Sequence, residues 1–163
     1  MGVGQAAAQQ LPQVHLFPGD MACQLKPQLI TTILGSCVAV CLWDRSLRFG
    51  GMNHFLLPYW EHQGEPSLRY GNVAIEALVE EMRRFGSRPG DLRAKVFGGA
   101  NVLPVNGDGP TIGTRNVDMA LQELRRFDIP VVNRHVSGTS GLLIKHFTET
   151  GEVWLRPVRN TRT

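Results

Sequence analysis

The chain has 163 residues and a net charge of +3, and 42% of its residues are hydrophobic while 19% are charged. This length and composition predict one globular domain and exclude an intrinsically disordered chain. The apolar runs are much shorter than the roughly 20 residues of a membrane helix. Membrane insertion is therefore not expected. The basic residues form no dense run with interleaved aromatic residues, so nucleic-acid binding is not expected either.

The cysteine content favours a reducing compartment. Cys23, Cys37 and Cys41 are an odd and sparse set, which argues against a disulfide scaffold. The first residues, MGVGQAAAQQLPQ, lack the basic segment that opens a secretory signal. Both observations predict a cytoplasmic protein.

The first half of the chain predicts strands on both sides of a bend. Residues 1–14 are rich in Ala, Gln and Gly and are interpreted as a disordered tail, so the folded domain is expected at 15–158, with a short tail at 159–163. Short apolar runs that end at turn residues predict three strands, at 28–33, 38–43 and 49–56. The bend Gly35-Ser36 separates the first two strands.

The second half predicts alternating helices and strands. Apolar residues at helical spacing predict helices at 72–85 and 116–127. Four further strands are expected, at 92–97, 129–135, 142–147 and 153–158, and the last two form a hairpin across 148–151. This order of elements predicts a mixed α/β fold.

Cys37 has the features expected of a nucleophile. It follows Leu34-Gly35-Ser36, and a glycine permits a sharp turn at which a side chain is exposed at the end of a strand. Backbone N–H groups at such a bend can hold an oxyanion. Cys41 lies within the apolar run VAVCLW, so it is interpreted as a buried hydrophobic residue.

A thiol nucleophile needs a base, and His54 is the best placed of the five histidines. Pairing of strand 38–43 with strand 49–55 across a short turn brings His54 back beside Cys37. The third member of such a site orients the imidazole, and the hydroxyl of Thr31 or of Thr32 can accept its ring N–H.

A metal site is not expected. The spacing Cys-x3-Cys of Cys37 and Cys41 on a strand suits zinc poorly, and no second Cys or His pair completes four ligands. On the residues alone, the prediction stops at a Cys-His hydrolase.

Five ordered motifs make the chain resemble the CheD family, the chemoreceptor glutamine deamidases of bacterial chemotaxis. They are LGSCVAVCLWD (34–44), GGMNHFLLP (50–58), RYGNVAIEALVEEM (69–82), AKVFGGANV (94–102) and IGTRNV (112–117). The resemblance extends from about residue 15 to 158. Its fold would be a single-domain α/β sandwich of mixed β-sheets flanked by helices, similar to the catalytic domain of cytotoxic necrotizing factors.

The resemblance implies an activity and its residues. The enzyme would hydrolyse glutamine side chains of chemoreceptors to glutamate and release ammonia, and some relatives also hydrolyse glutamate methyl esters. The motifs place a Cys-His-Thr triad on Cys37, His54 and Thr31, with Thr32 as the alternative to Thr31. No cofactor or metal is implied, and the expected partners are the helical cytoplasmic domains of receptors and a CheC-type phosphatase.

Three rival interpretations stay open. One is a scaffold that mainly binds a CheC-type phosphatase with little catalysis. Another is a binding module, because NGDGPTIGTRN (106–116) can place an anion at a helix N-terminus, although neither nucleotide-binding glycine motif is present. The third is a cysteine protease, which would cleave the backbone of its substrate.

Overall fold

The computed structural model describes residues 11–102, 107 and 109–159. Within them the chain forms nine strands, two α-helices (α1, Gly71–Arg84, and α2, Ile112–Arg126) and a 3-10 helix at Pro89–Asp91. The strands are β1 Gln13–His15, β2 Met21–Gln24, β3 Leu29–Leu34, β4 Val38–Asp44, β5 Phe49–Asn53, β6 Leu92–Gly98, β7 Val131–Val136, β8 Gly141–Phe147 and β9 Val153–Val158.

The strands form two mixed sheets. The four-stranded sheet has the order β1-β3-β8-β9, and the five-stranded sheet has the order β2-β5-β4-β6-β7. Each sheet contains one parallel pair, β1 with β3 and β6 with β7, while the other neighbours are antiparallel. The predicted single-domain α/β sandwich with mixed sheets is thereby confirmed.

The core has two layers because the five-stranded sheet is buried on both faces. On one face, Val38, Val40 and Leu42 of β4 pack against the helices. On the other face, Ala39 and Cys41 pack against apolar residues of the four-stranded sheet. Alternate residues of a strand point to opposite faces, so every residue of β4 from Val38 to Leu42 is apolar and buried. Cys41 is the buried hydrophobic residue that the sequence predicted.

Both helices present an apolar stripe to the five-stranded sheet. In α1 the stripe is formed by Ala74, Ile75, Leu78, Val79 and Met82, and basic residues lie in its last turn. Helix α2 begins four residues before the predicted start. The reason is a cap: the Thr111 hydroxyl accepts a hydrogen bond from the N–H of Thr114, 3.1 Å away, and satisfies a donor of the first turn.

The structure differs from the sequence predictions at the N-terminal edge. Gln13 and Val14 already pair with Leu29 and Ile30 in parallel, so ordered structure begins ahead of the predicted boundary at residue 15. Strand β2 was not predicted either. Both strands are very short, so neither provides the period-two pattern that identifies a strand.

Three predictions lie partly outside the described residues, namely the disordered tail 1–14, the anion-binding segment NGDGPTIGTRN (106–116) and the short tail 159–163. No helix among the described residues is both long enough and apolar enough to span a bilayer.

Candidate functional site

Cys37 lies where the chain crosses from one sheet to the other. Strand β3 ends at Leu34 in the four-stranded sheet, and β4 begins at Val38 in the five-stranded sheet. Gly35, Ser36 and Cys37 make this crossing, and the Cys37 side chain is half-buried. The bend therefore carries a half-buried thiol next to β4, and the bend itself lies where the sequence predicted it.

The FGGA motif (97–100) holds this bend. The N–H of Gly99 donates to the Cys37 carbonyl at 2.8 Å, and the N–H of Ala100 donates to the Gly35 carbonyl at 2.9 Å. Gly98 has a φ of 103°, and a Cβ there would lie 2.3 Å from the Cys37 oxygen. A glycine is required at this position because the two backbones approach so closely.

Asn116 links the two segments that carry Cys37 and His54. It lies in α2 and is fully buried. Its Nδ2 donates to the Ser36 carbonyl at 3.1 Å and to the Leu56 carbonyl at 2.8 Å. One side chain thus fixes the bend before Cys37 relative to the segment after His54.

The register of β4 and β5 places His54 diagonally across from Cys37. Cys41 pairs with Met52, and Val38 pairs with Phe55 through two backbone hydrogen bonds of 3.0 and 3.1 Å. In this register His54 lies opposite Ala39, so Cys37 is its diagonal neighbour on the same face. Diagonal neighbours are about 7–8 Å apart between backbones, within reach of a long side chain. The predicted hairpin register is therefore confirmed.

Thr32, rather than Thr31, is the threonine bonded to His54. The Thr32 hydroxyl lies 2.7 Å from His54 Nδ1, while the Thr31 hydroxyl lies 2.8 Å from His15 Nδ1. The two threonines are consecutive on β3 and therefore point to opposite faces of the sheet. Thr32 faces the space between the sheets and is fully buried. The assignment of Thr31 as the residue that orients His54 is thus corrected to Thr32.

The hydrogen bonds of Thr32 determine the tautomer of His54. The Thr32 hydroxyl donates its proton to the Leu16 carbonyl at 2.7 Å, so its oxygen accepts from His54 Nδ1–H. A neutral His54 then carries its free lone pair on Nε2. This Nε2 is buried and has no hydrogen-bond partner among the described residues. It is a proton acceptor held in place by its other ring nitrogen.

Burial keeps both side chains neutral. It raises the pKa of the Cys37 thiol above its ordinary 9.0, and the residue's own backbone N–H opposes that rise only in part. It lowers the pKa of His54 from 6.5 to about 4, against a smaller opposite effect of the Asp20 carboxylate. Burial therefore favours a thiol and a neutral imidazole over a thiolate and an imidazolium.

The segment between β1 and β2 covers His54. The Gly19 N–H donates to the His54 carbonyl at 2.8 Å, and the His54 N–H donates to the Asp20 carbonyl at 3.2 Å. Four cavities of about 30 to 430 Å³ among the described residues are all lined by side chains other than Cys37 and His54.

The remaining predicted candidates lie elsewhere. His62 is exposed in the loop after β5, His135 is exposed on β7, and His146 is fully buried on β8. Among the described residues no group of three or more His, Cys, Asp or Glu side chains is arranged to hold a metal ion.

Two buried neutral histidines make a testable contribution to acid stability. Burial lowers the pKa of both His54 and His146 to about 4, whereas an unfolded histidine titrates near 6.5. Between these values the unfolded chain binds more protons, so folding stability is full above pH 6.5 and falls as the pH decreases. At pH 5 each of the two histidines should lower the free energy of unfolding by about 2 kcal/mol relative to its value at high pH.

Urea unfolding at pH 7 and pH 5 measures this loss. We expect His146→Gln to remove about half of the pH dependence, whatever its effect at pH 7. His62→Gln is the matched control because His62 is exposed, and it should leave the dependence unchanged. Equal stability of the unmodified protein at the two pH values would contradict the neutral buried state.

Comparisons with known proteins identify the family of this chain. The family model described as CheD chemotactic sensory transduction matches residues 56–157. A protein of Rhodospirillum rubrum named probable chemoreceptor glutamine deamidase CheD is 48% identical over 94% of this chain and 86% of its own length. Proteins of the same name from Trichlorobacter lovleyi and, as CheD 1, from Anaeromyxobacter dehalogenans are each 45% identical, over 86% and 88% of this chain and 87% and 84% of their own lengths. The chain therefore belongs to the CheD family.

Proposed function

We propose that this protein is a chemoreceptor glutamine deamidase that uses Cys37 as nucleophile, His54 as base and acid, and Thr32 to orient His54. The observation that carries the proposal is the Thr32–His54 hydrogen bond, which leaves a buried, unpartnered Nε2 on the face that Cys37 shares. The names of the family relatives supply the substrate class, the glutamine side chains of chemoreceptors.

The first half of the reaction joins Cys37 to the substrate in a tetrahedral adduct. The Cys37 sulfur attacks the carboxamide carbon of the glutamine while its proton passes to His54 Nε2. Since the thiol has a raised pKa and the imidazole a lowered one, prior transfer of the proton is unfavourable, and transfer accompanies formation of the sulfur–carbon bond. The Cys37 N–H, which bonds no acceptor of another described residue, is positioned to hold the oxyanion.

The second half releases the products. The His54 imidazolium donates its Nε2 proton to the amide nitrogen, the carbon–nitrogen bond of the adduct breaks, ammonia leaves and a thioester on Cys37 remains. Its low pKa makes this imidazolium a strong acid, which suits a poor leaving group. Neutral His54 then removes a proton from water, hydroxide attacks the thioester, and glutamate and the Cys37 thiol are formed. A glutamate methyl ester would reach the same thioester with methanol as the leaving group.

The surface around the site suits an exposed helix of a receptor. Phe17, which follows Leu16 in the segment over His54, is 65% exposed, and Leu57 and Tyr59 are each more than 40% exposed just after His54. The exposed Arg69 side chain packs beside Gly19 and has no ion-pair partner among the described residues. An apolar rim with an unpaired cation favours an amphipathic helix with acidic residues.

The test is mass spectrometry of receptor cytoplasmic fragments incubated with the protein. We expect specific glutamines to be converted to glutamate with an intact backbone and release of ammonia. A helical coiled coil from an unrelated protein, with exposed glutamines, is the control and should remain unchanged. Backbone cleavage would indicate a protease instead. Unchanged receptor fragments, together with binding of a CheC-type phosphatase, would replace the proposal with the scaffold interpretation.

A further inference from the structure

A cavity lies at the other end of β4 from Cys37. It has a volume of about 310 Å³ and is formed where the β8–β9 turn lies over the five-stranded sheet. Its walls come from β4, β6, β7, β8 and this turn, through Cys41, Trp43, Arg45, Arg93, Lys95, Val132, His146, Thr150 and Gly151. This volume is in the lower range of small-molecule sites.

The turn is fixed against Trp43. The Trp43 indole N–H donates to the Glu149 carbonyl at 3.1 Å, and Lys95 Nζ donates to the Gly151 carbonyl at 2.9 Å. A Cβ on Gly151, whose φ is 79°, would lie 2.6 Å from the indole ring. The wall is thus held in place by contacts that leave the cavity open.

The charged side chains of the cavity are all cationic. Arg45, Arg93 and Lys95 line it and no carboxylate does. The ion pairs among the described residues involve other arginines, so none of these three cations has an acidic partner there. Three unneutralised cations around a partly apolar cavity repel one another, and an anion would relieve that repulsion.

His146 forms the inner wall of the cavity. The residue is fully buried, and its Nε2 lies 3.4 Å from the Leu42 carbonyl. The backbone of Glu152 provides a second hydrogen bond to the ring. The charge of the cavity therefore comes from the three cations, and His146 contributes a fixed, uncharged part of its wall.

We propose that this cavity binds a small organic anion, with a carboxylate or phosphate group held by Arg45, Arg93 and Lys95 and an apolar part against Trp43. The ligand needs both a charged group and an apolar part. The apolar side chains Cys41, Trp43 and Val132 offer contact area, whereas the cations provide the charge recognition.

The binding test uses the indole N–H of Trp43 as a reporter in NMR spectra of the ¹⁵N-labelled protein. Phenyl phosphate, benzoate and inorganic phosphate are the probes, and benzyl alcohol is the neutral analogue. We expect saturable shifts of the Trp43 signal, assigned through Trp43→Phe, with a dissociation constant on the order of 1 mM or lower for a preferred aromatic anion. Phenyl phosphate compared with benzoate shows which anionic group is preferred. Phenyl phosphate compared with inorganic phosphate shows whether the apolar part contributes to binding.

Charge variants show whether the cations are responsible. Arg45→Gln and Lys95→Gln should each weaken binding about tenfold, which is about 1.4 kcal/mol. Arg84→Gln is the matched control because Arg84 is exposed on α1, and it should bind as the unmodified protein does. Arg45 is itself exposed, so its variant is expected to fold normally. Absence of saturable shifts, or equal binding of benzyl alcohol, would overturn the proposal.

Discussion

Cys37→Ala is expected to lower kcat/KM for glutamine deamidation by at least about 10⁴-fold, because no other group can form the thioester. The variant should fold normally. The side chain is only half-buried, and the contacts that hold the bend are made by the backbone of residues 35–37. Ammonia release from a receptor fragment, followed by mass spectrometry of the glutamines, measures the effect.

Cys23→Ala is the matched control for this experiment. Cys23 is also a free, half-buried cysteine, but it packs on the helix side of the five-stranded sheet, with its sulfur 3.4 Å from that of Met82. We expect this variant to keep nearly full activity. Activity retained in Cys37→Ala, or lost equally in both variants, would exclude Cys37 as the nucleophile.

Local sequence pattern predicted the parts of the site that depend on one hairpin. The turn between β4 and β5 is short, so their register follows from the chain, and that register places His54 beside Cys37. A bend with a glycine likewise indicated where the thiol would lie. Both features depend on residues that are close in sequence, which is why a single strand pair was sufficient to predict them.

The choice between Thr31 and Thr32 could not be made in the same way. Either threonine is near Cys37 in sequence, and the difference lies in which face of β3 points toward the five-stranded sheet. That orientation is set by the packing of two sheets, with Leu16 and Ile30 on the inner face. A shift of one residue along a strand moves the side chain to the opposite face, so spacing along the chain does not distinguish Thr31 from Thr32.

The role of Asn116 depends on residues that are distant from it in sequence. It belongs to the motif IGTRNV and lies on the apolar face of α2, four residues before the buried Ala120. A polar residue on a buried helix face is a signal that it has specific partners. Its partners, the carbonyls of Ser36 and Leu56, are 80 and 60 residues away in sequence, so only the fold reveals them.

Thr32→Val is expected to lower kcat/KM about 10- to 100-fold, as removal of a residue that orients a catalytic or metal-bound histidine does. Valine preserves the shape of the side chain but removes the acceptor for His54 Nδ1–H, so the imidazole loses its fixed tautomer and orientation. The loss should fall mainly on kcat, because the buried Thr32 is not placed to contact the substrate. Steady-state kinetics of ammonia release measures it.

Two further variants separate orientation from a general effect on folding. Thr32→Ser keeps the hydroxyl and should recover most of the activity, whereas a purely structural role would respond to the lost methyl group as well. Thr31→Val is the matched control, because its hydroxyl contacts His15 on the exposed face of the same strand. We expect it to retain nearly full activity. The opposite pattern, with Thr31→Val impaired and Thr32→Val active, would restore the assignment that spacing from Cys37 suggested and would remove Thr32 from the mechanism.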